Sequence, residues 1–423
     1  MNEQENNQDD IVKIKNSFTS MFKLINPNKK YNPVIVASFY HIVGAALLKF
    51  PITIKTLDID MRFSFGCCIT SGFGKEAINT VIKESANVIE KEVSSFTSLH
   101  EEQLIGKRWY DKKEEEWNEV RGYFADDFLI KDDALLFLND KQFAAARNYF
   151  LTALNLWGKN TIKKKLTGNE FGLEYNAQCS FLYFIQPSEK IEIKNLASGL
   201  FRRAPTIRVD IEEEEAKSIL DTRADQDYGQ NNTEFFNFLR IIRNIRIEVY
   251  KPLSPELLKK INTTAKKYYS KDPLLATLFL TNQNNIIKFA YINALLRSWK
   301  GIPLGGIVEL TVEEEDVKRA IDDYSLIYGG IQHFVNCNMK MMGNDMHPIK
   351  KEILKLLEEK ECFSEERSSL QTKDIIKSIA EKLNKKEETI SWHFYKLRDE
   401  GLIQSKQEGK HGGKVWIVTP TNT

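Results

Sequence analysis

Residues 62–91 constrain the fold more than any other stretch of this 423-residue chain. Arg62-Phe63-Ser64-Phe65-Gly66-Cys67-Cys68-Ile69 is a largely apolar run bounded by a glycine-containing turn, the pattern of a buried central strand. Thr70-Ser71-Gly72-Phe73-Gly74 reads as the turn. From Lys75 to Lys91, Ala77, Ile78, Val81, Ile82, Ser85 and Ile89 recur near helical spacing. Strand, glycine turn and helix in that order predict an α/β domain, and they put free N–H groups and a positive dipole where the helix begins.

The turn nearly matches G-x-x-x-x-G-K-[ST]. In that pattern backbone N–H groups cradle phosphates, the lysine reaches the β/γ-phosphates and the last hydroxyl holds Mg²⁺. Gly72, Gly74 and Lys75 fall at the right places, but Ile69 replaces the first glycine and Glu76 replaces the hydroxyl. Thr70 and Ser71 carry hydroxyls in the wrong part of the turn. The candidate nucleotide-binding residues are Thr70, Ser71, Gly72, Phe73, Gly74, Lys75 and Glu76, with ATP and Mg²⁺ as the expected ligands. The competing reading is an ordinary glycine-rich turn with a surface lysine.

A length of 423 residues allows two or three domains, and a formal net charge of +1 excludes a globally basic nucleic-acid coat. The five cysteines show no zinc spacing, and the adjacent Cys67 and Cys68 in an apolar run suggest buried thiols and a reducing compartment. Six scattered histidines without an H-E-x-x-H motif argue against a catalytic transition metal. The polar, acidic start is unlike a secretory signal, and Pro33–Leu48 is too short for a membrane span. It reads as a buried helix, and the chain as cytoplasmic with no membrane partner.

Residues 1–30, rich in Asn, Gln and Lys, read as a flexible lead, and 31–342 as an α/β core with a helical lid over about 233–342. Within the core, 111–119 reads as a charged connector, 264–299 as one helix, and 312–328 as a helix with Thr311 at its N-cap. Met339–Met346 reads as a linker to a module at 347–420. There, Pro348–Leu357, a helix capped by Thr372, and Glu387–Glu400 precede two apolar runs joined by the basic glycine turn Gly409–Gly413. Three helices and a hairpin with a basic tip are the order of a winged helix-turn-helix. Thr389, Ser391, Trp392, His393, Tyr395, Lys396 and Arg398 are the outward positions expected to meet a DNA groove. Lys406, Lys410, His411 and Lys414 are expected to touch phosphates from the wing. Protein docking by the same module is the alternative.

Four short blocks, taken in order, resemble the helicase-type P-loop ATPases. The match is to the minichromosome maintenance (MCM)-like AAA+ group and the related domain beside primases in plasmid and viral replication proteins. The blocks are Ile69–Glu76 as phosphate loop, Arg121–Asp127 as a Walker B strand, Phe181–Pro187 as the sensor-1 strand, and Ser198–Arg203 as the segment of an arginine finger. The resemblance implies a P-loop core with an α-helical lid followed by a winged helix, and a homo-oligomeric ring such as a hexamer, working on DNA with other replication proteins. It implies Lys75, Asp126, Asp127, Gln186, Arg202 and Arg203 as catalytic residues, with Asp126 holding Mg²⁺ and one of the arginines acting on a neighbour's site. Lys288 and Arg297 are possible lid contacts.

Two functions stay open. One is an ATP-dependent DNA helicase or remodeller with hydrolysis weakened by Glu76 and by an Asp-Asp pair where Asp-Glu is usual. The other is a non-hydrolysing replication initiator, partition factor or regulator on a decayed ATPase core. A third reading, a metabolic α/β enzyme using the Lys75 loop for a phosphorylated substrate, is set aside because such enzymes rarely carry a winged helix.

Overall fold

The computed structural model describes residues 3–22, 25, 28–48, 52–54, 57–95, 106–111, 114–123, 128–139, 143–154, 161–164, 173–177, 179–189, 191, 199–225, 233–270, 272–303, 305–344, 348–358, 372–399, 403–407 and 414–418. Short apolar runs without alternation build its centre. Strands β1 (Ile52–Ile54) and β2 (Leu57–Ile59) form a hairpin before β3 (Phe65–Ile69), in which every residue is buried. Strands β4 (Val93–Ser95), β7 (Phe128–Lys131), β10 (Ser180–Ile185) and β11 (Thr206–Val209) join β3 in one parallel sheet of order β11-β3-β10-β7-β4. Continuous burial along β3, β7 and β10 is what a parallel sheet covered on both faces requires. Cys67 and Cys68 lie in β3, buried as their sequence context predicted.

Two further hairpins, β5 (Gly106–Asp111) with β6 (Glu116–Arg121) and β8 (Thr161–Lys164) with β9 (Leu173–Asn176), interrupt the sheet's connections. The expected connector at 111–119 is therefore the tip and returning arm of a hairpin, and Arg121 ends a strand outside the central sheet. Strands β12 (Arg246–Tyr250) and β13 (Ile307–Leu310) pair in parallel elsewhere.

The helix Asn32–Ala46 is buried along most of its length, as expected for an apolar run too short to span a bilayer. No helix among the described residues is long and apolar enough to cross a membrane. The N-terminal lead is corrected: Glu3–Ser20 is a helix whose Ile11, Ile14 and Phe18 enter the core. Phe18 packs its ring against Phe39 and Phe235. Three apolar residues on one helical face anchor a segment whose mean composition is polar.

The expected helix 264–299 is three helices, Pro255–Lys267, Pro273–Thr277 and Phe279–Ser298. Pro273 cannot continue a helix, and Asp272 Oδ1 accepts from the N–H groups of Leu274 and Leu275 at 2.8 and 3.0 Å to start a new one. The expected linker at 339–346 is corrected for its first six residues, because one helix runs unbroken from Glu314 to Asn344. Its start is held by Asp316 of the first turn, whose carboxylate accepts from the Glu313 N–H at 2.9 Å, and among the described residues no Thr311 side-chain cap is seen.

Lys288 and Arg297 are structural, not lid contacts poised over a ligand. Lys288 is 1% exposed and donates to the Arg62 carbonyl at 2.5 Å. Arg62, also 1% exposed, pairs with Asp60 and donates to the carbonyls of Ala153 and Cys179, both at 2.7 Å. This cluster fastens the start of β3 to segments far apart in the chain. Arg297 bridges Glu313 and Asp316 at 2.8 and 3.0 Å.

The C-terminal segment forms helices Pro348–Glu358, Thr372–Leu383 and Glu387–Asp399, then the antiparallel hairpin β14 (Ile403–Gln407) and β15 (Lys414–Val418). Ile353, Ile375, Ile379, Ile390, Phe394 and Leu397 are buried in its core. Asn384, at φ 48°, closes the second helix in the left-handed conformation that asparagine tolerates.

Candidate functional site

The carboxyl ends of five parallel strands share one edge of the sheet. There β3 sends its connection toward β4 while β10 sends its own across β3 to β11. Connections that part in opposite directions leave the crevice in which open α/β sheets bind ligands. The glycine loop lies on this crevice, directly after Ile69. Its conformation requires glycine: Gly72 has φ 84° and Gly74 φ 121°, and a Cβ on Gly74 would sit 3.0 Å from Ile25 Cγ2. A Cβ on Gly72 would meet nothing within 4 Å, so the space above the loop is open. Tyr31 donates its hydroxyl to the Phe73 carbonyl and holds the loop from below. Thr70, Ser71 and Gly72 are exposed, and Lys75 opens the helix Lys75–Val88.

Asp126 and Asp127 lie outside the described residues. They precede β7, which starts at Phe128, so the acids that follow its carboxyl end are Asp132 and Asp133. Asp132 Oδ1 stands 3.4 Å from Lys75 Nζ. That oxygen is buried and has no hydrogen bond among the described residues. Lys75 Nζ also lies 5.7 Å from the centroid of the Phe184 ring on β10. Asp133 sits at φ 52°, and the next residue, Ala134, donates its N–H to the Phe184 carbonyl at 2.8 Å, docking the β7 end onto β10.

Gln186 follows β10 on the same edge, between the ends of β3 and β7. The register sets Ile185 beside Cys68 and Tyr183 beside Lys131. The Gln186 N–H donates to Glu189 Oε2 at 2.8 Å, and the residue is exposed. Burial lifts the Glu189 carboxyl above its ordinary value, against the lowering effect of that hydrogen bond, and the nearby Asp133 charge lifts it further. Burial lowers the Lys131 ammonium, partly offset by Asp133 and Asp132, and the charge of Lys75 lowers it too. The structure thus brings together Lys75, Asp132, Asp133, Gln186 and Glu189. The acids Asp132, Asp133 and Glu189 were not among the residues expected from sequence, although Phe128-Leu129-Ile130-Lys131-Asp132-Asp133 carries the signal of an apolar strand ending in two carboxylates.

These residues fit a magnesium-bound polyphosphate in part. A helix N-terminus, a lysine and a buried carboxylate oxygen with no hydrogen bond among the described residues, set beside open space over glycines, are the groups such a ligand takes. Glu76 does not fit the usual set, because it is exposed in the first turn where a metal-binding hydroxyl is usual.

Arg202 and Arg203 are not brought to Lys75. They sit in a short helical turn before β11, and Thr206 pairs with Gly66 while Val209 pairs with Ile69. The arginines therefore lie at the amino edge, separated from the loop by roughly 10 Å of strand. Arg202 is exposed, and Arg203 Nη1 donates to the Gly199 carbonyl at 3.1 Å.

On the third C-terminal helix, Thr389, Trp392, Tyr395, Lys396 and Arg398 are exposed and Ser391 is half-buried. Trp392 is 57% exposed, with Lys396 Nζ 4.8 Å from its ring centroid, and Arg398 lies 4.8 Å from the Tyr395 ring. His393 is corrected: it is 5% exposed and turns inward beside Phe394. Positions 390, 393, 394 and 397 form one helical stripe, which assigns His393 to the core face. Lys406 lies in β14 opposite Val415, and Lys414 begins β15, whereas Lys410 and His411 lie outside the described residues. No family model matches the sequence, and no curated protein is detectably similar to it.

Proposed function

We propose that this chain is an ATP-dependent DNA helicase or DNA remodeller of the MCM-like replicative type, assembling as a homo-oligomeric ring. The observation that carries the reading is the meeting of Lys75 and Asp132 at 3.4 Å on the edge where β3, β10 and β7 end, with the glycine loop beside them. A loop-bearing first strand between the fourth and fifth strands of its sheet is also the arrangement of the AAA+ ATPases that the sequence blocks resemble. Bound at this edge, MgATP would supply the phosphoryl group whose transfer drives the motor. Lys75 would bind phosphate oxygens, and Asp132 would hold magnesium directly or through water. Asp133 and Gln186 would orient the attacking water. Arg202, at the far edge of its own sheet, would serve a neighbouring subunit. The C-terminal helices and hairpin would act as a winged helix, with Trp392 and Lys396 on the face offered to DNA.

ATP turnover of the full chain, with and without DNA, tests the proposal. Lys75→Ala and Asp132→Asn are each expected to lower turnover by roughly 100-fold or more, as losses of transition-state charge stabilisation do. Unchanged turnover in Lys75→Ala would refute the assignment.

The exposed carboxylate of Glu76 favours a second reading, a DNA-binding initiator, partition or regulatory protein that does not hydrolyse ATP. It predicts salt-sensitive DNA binding that is indifferent to ATP, with no turnover in the wild type.

A further inference from the structure

The geometry points to a zinc-class metal site formed by Asp210, His333 and Cys337, independent of the nucleotide reading. Asp210 follows the carboxyl end of β11. His333 and Cys337 stand one turn apart on the long helix Glu314–Asn344, so both side chains leave the same face. That helix lies close on β11: a Cβ on Gly330 would come within 2.6 Å of Ile207 Cγ2, so any side chain there would force Ile207 or the helix to shift. The close packing brings the two elements' side chains together. His333 Nε2 is 2.7 Å from Asp210 Oδ2, and His333 Nδ1 is 3.8 Å from Cys337 Sγ. One donor atom from each of the three residues lies within 4.8 Å of the other two.

A tetrahedral zinc with ligands at its usual bond lengths sets neighbouring donors roughly 3.3–3.8 Å apart. To reach that size the 2.7 Å Asp210–His333 contact must open and the wider spacings close, with His333 offering a single ring nitrogen to the ion, movements that half-exposed side chains can make. The chemistry of the donors selects the ion. A thiolate and an imidazole favour zinc or cobalt over magnesium and calcium, which prefer oxygen alone. Arg208 supports the arrangement from behind, with Nε 2.8 Å from Asp210 Oδ1 and Nη1 3.3 Å from the Pro187 carbonyl. It orients the carboxylate as outer partners of metal ligands do. Three protein ligands leave a fourth position for water or a further group. Filled, the site cross-links the central sheet to the helix that leads toward the C-terminal unit.

The full-length protein, stripped with a chelator, is titrated with Co²⁺ and then with Zn²⁺ in the presence of excess Mg²⁺. One equivalent of Co²⁺ is expected to produce a thiolate-to-cobalt charge-transfer band with a tetrahedral d–d spectrum, and one equivalent of Zn²⁺ to abolish both. Cys337→Ser removes the charge-transfer band. His333→Gln weakens binding by more than the roughly 10–100-fold that loss of an outer partner costs. Far-ultraviolet circular dichroism shows whether each variant is folded, and the half-exposed positions make a folded product the expected outcome. Absence of the band in the wild type, or its retention in folded Cys337→Ser, overturns the proposal.

Discussion

Replacing Lys288 by methionine separates a buried charge from everything else that titrates in mild alkali. Burial lowers the Lys288 ammonium from 10.5 to about 8, with Asp60 opposing the shift and Arg62 adding to it. The folded protein releases this proton first. Between those two values the unfolded chain holds more protons, so the Lys288 contribution to stability increases as pH rises through the window and is absent below it. At 1.36 kcal/mol per unit the full swing is about 3 kcal/mol, of which about 2 kcal/mol accrues between pH ~7 and ~9.5. At 1% exposure solvent screening is slight and no discount applies. Methionine keeps the length and volume of the stem but cannot titrate. Urea unfolding of both proteins at the two pH values, followed by circular dichroism and by fluorescence to establish a single transition, gives the double difference. The wild type is expected to gain about 2 kcal/mol relative to Lys288→Met on the alkaline side. Parallel pH profiles, with a double difference below about 0.5 kcal/mol, would show that the ammonium is not desolvated as its contacts imply.

His41 reports the acid side in the same way. Burial lowers its imidazole to about 4, against the raising effect of its bond to the Phe63 carbonyl. Stability is therefore lost as pH falls from 6.5 through that value, by up to about 3 kcal/mol, and His41→Asn should flatten the acid limb of a urea-unfolding series. If Arg202 acts across subunits, Arg202→Ala and Lys75→Ala proteins, each inactive alone, regain ATP turnover when mixed, and no recovery on mixing argues against a trans role. Trp392→Ala should weaken single-stranded DNA binding by about 1–3 kcal/mol if a base stacks on the ring. Lys396→Ala should lower the salt slope by about 0.7 on single-stranded DNA, or about 0.9 on duplex, for each phosphate that the lysine neutralises, and unchanged values for both variants would move the binding face elsewhere.

How much of the fold and of the site was legible depended on whether the signal was local. The strand–turn–helix at 65–88 was readable because its apolar spacing changes at two glycines, and the inward positions of the C-terminal helices followed from a 3.6-residue period. His393 misled because a histidine beside an exposed tryptophan looks like a surface residue, although its spacing from Ile390 and Leu397 places it on the core stripe. The N-terminal helix was hidden by averaging: Ile11, Ile14 and Phe18 are few, but they share a face. Lys288 and Arg62 could not be recognised as a buried pair, because the carbonyls and carboxylate that satisfy them come from distant segments.

The acids of the candidate site show a different kind of failure. Two of the chain's Asp-Asp pairs stand six residues apart, 126–127 and 132–133, and each closely follows an apolar run. Only strand topology separates them, since the residues ending at Arg121 belong to a hairpin and those ending at Lys131 to the parallel sheet. The distinction changes the chemistry of the loop. With Glu76 in place of a hydroxyl, a metal at the glycine loop needs its protein oxygen from another strand, and Asp132 offers one beside Lys75. The pair those two residues make is partly exposed, at 26% and 39%, and ion pairs of that kind contribute roughly 0–1 kcal/mol. Separating them for a phosphate and a cation therefore costs little. The same edge carries Asp133, Glu189 and Glu76 beside Lys75 and Lys131, so a bound magnesium would offset part of the negative charge that a polyphosphate brings to these acids. On the proposed reading, Asp132 and Asp133 would make the loop's missing hydroxyl compatible with a metal-dependent site, and nucleotide binding to the full chain would then be expected to require magnesium, as binding measured with and without Mg²⁺ would show.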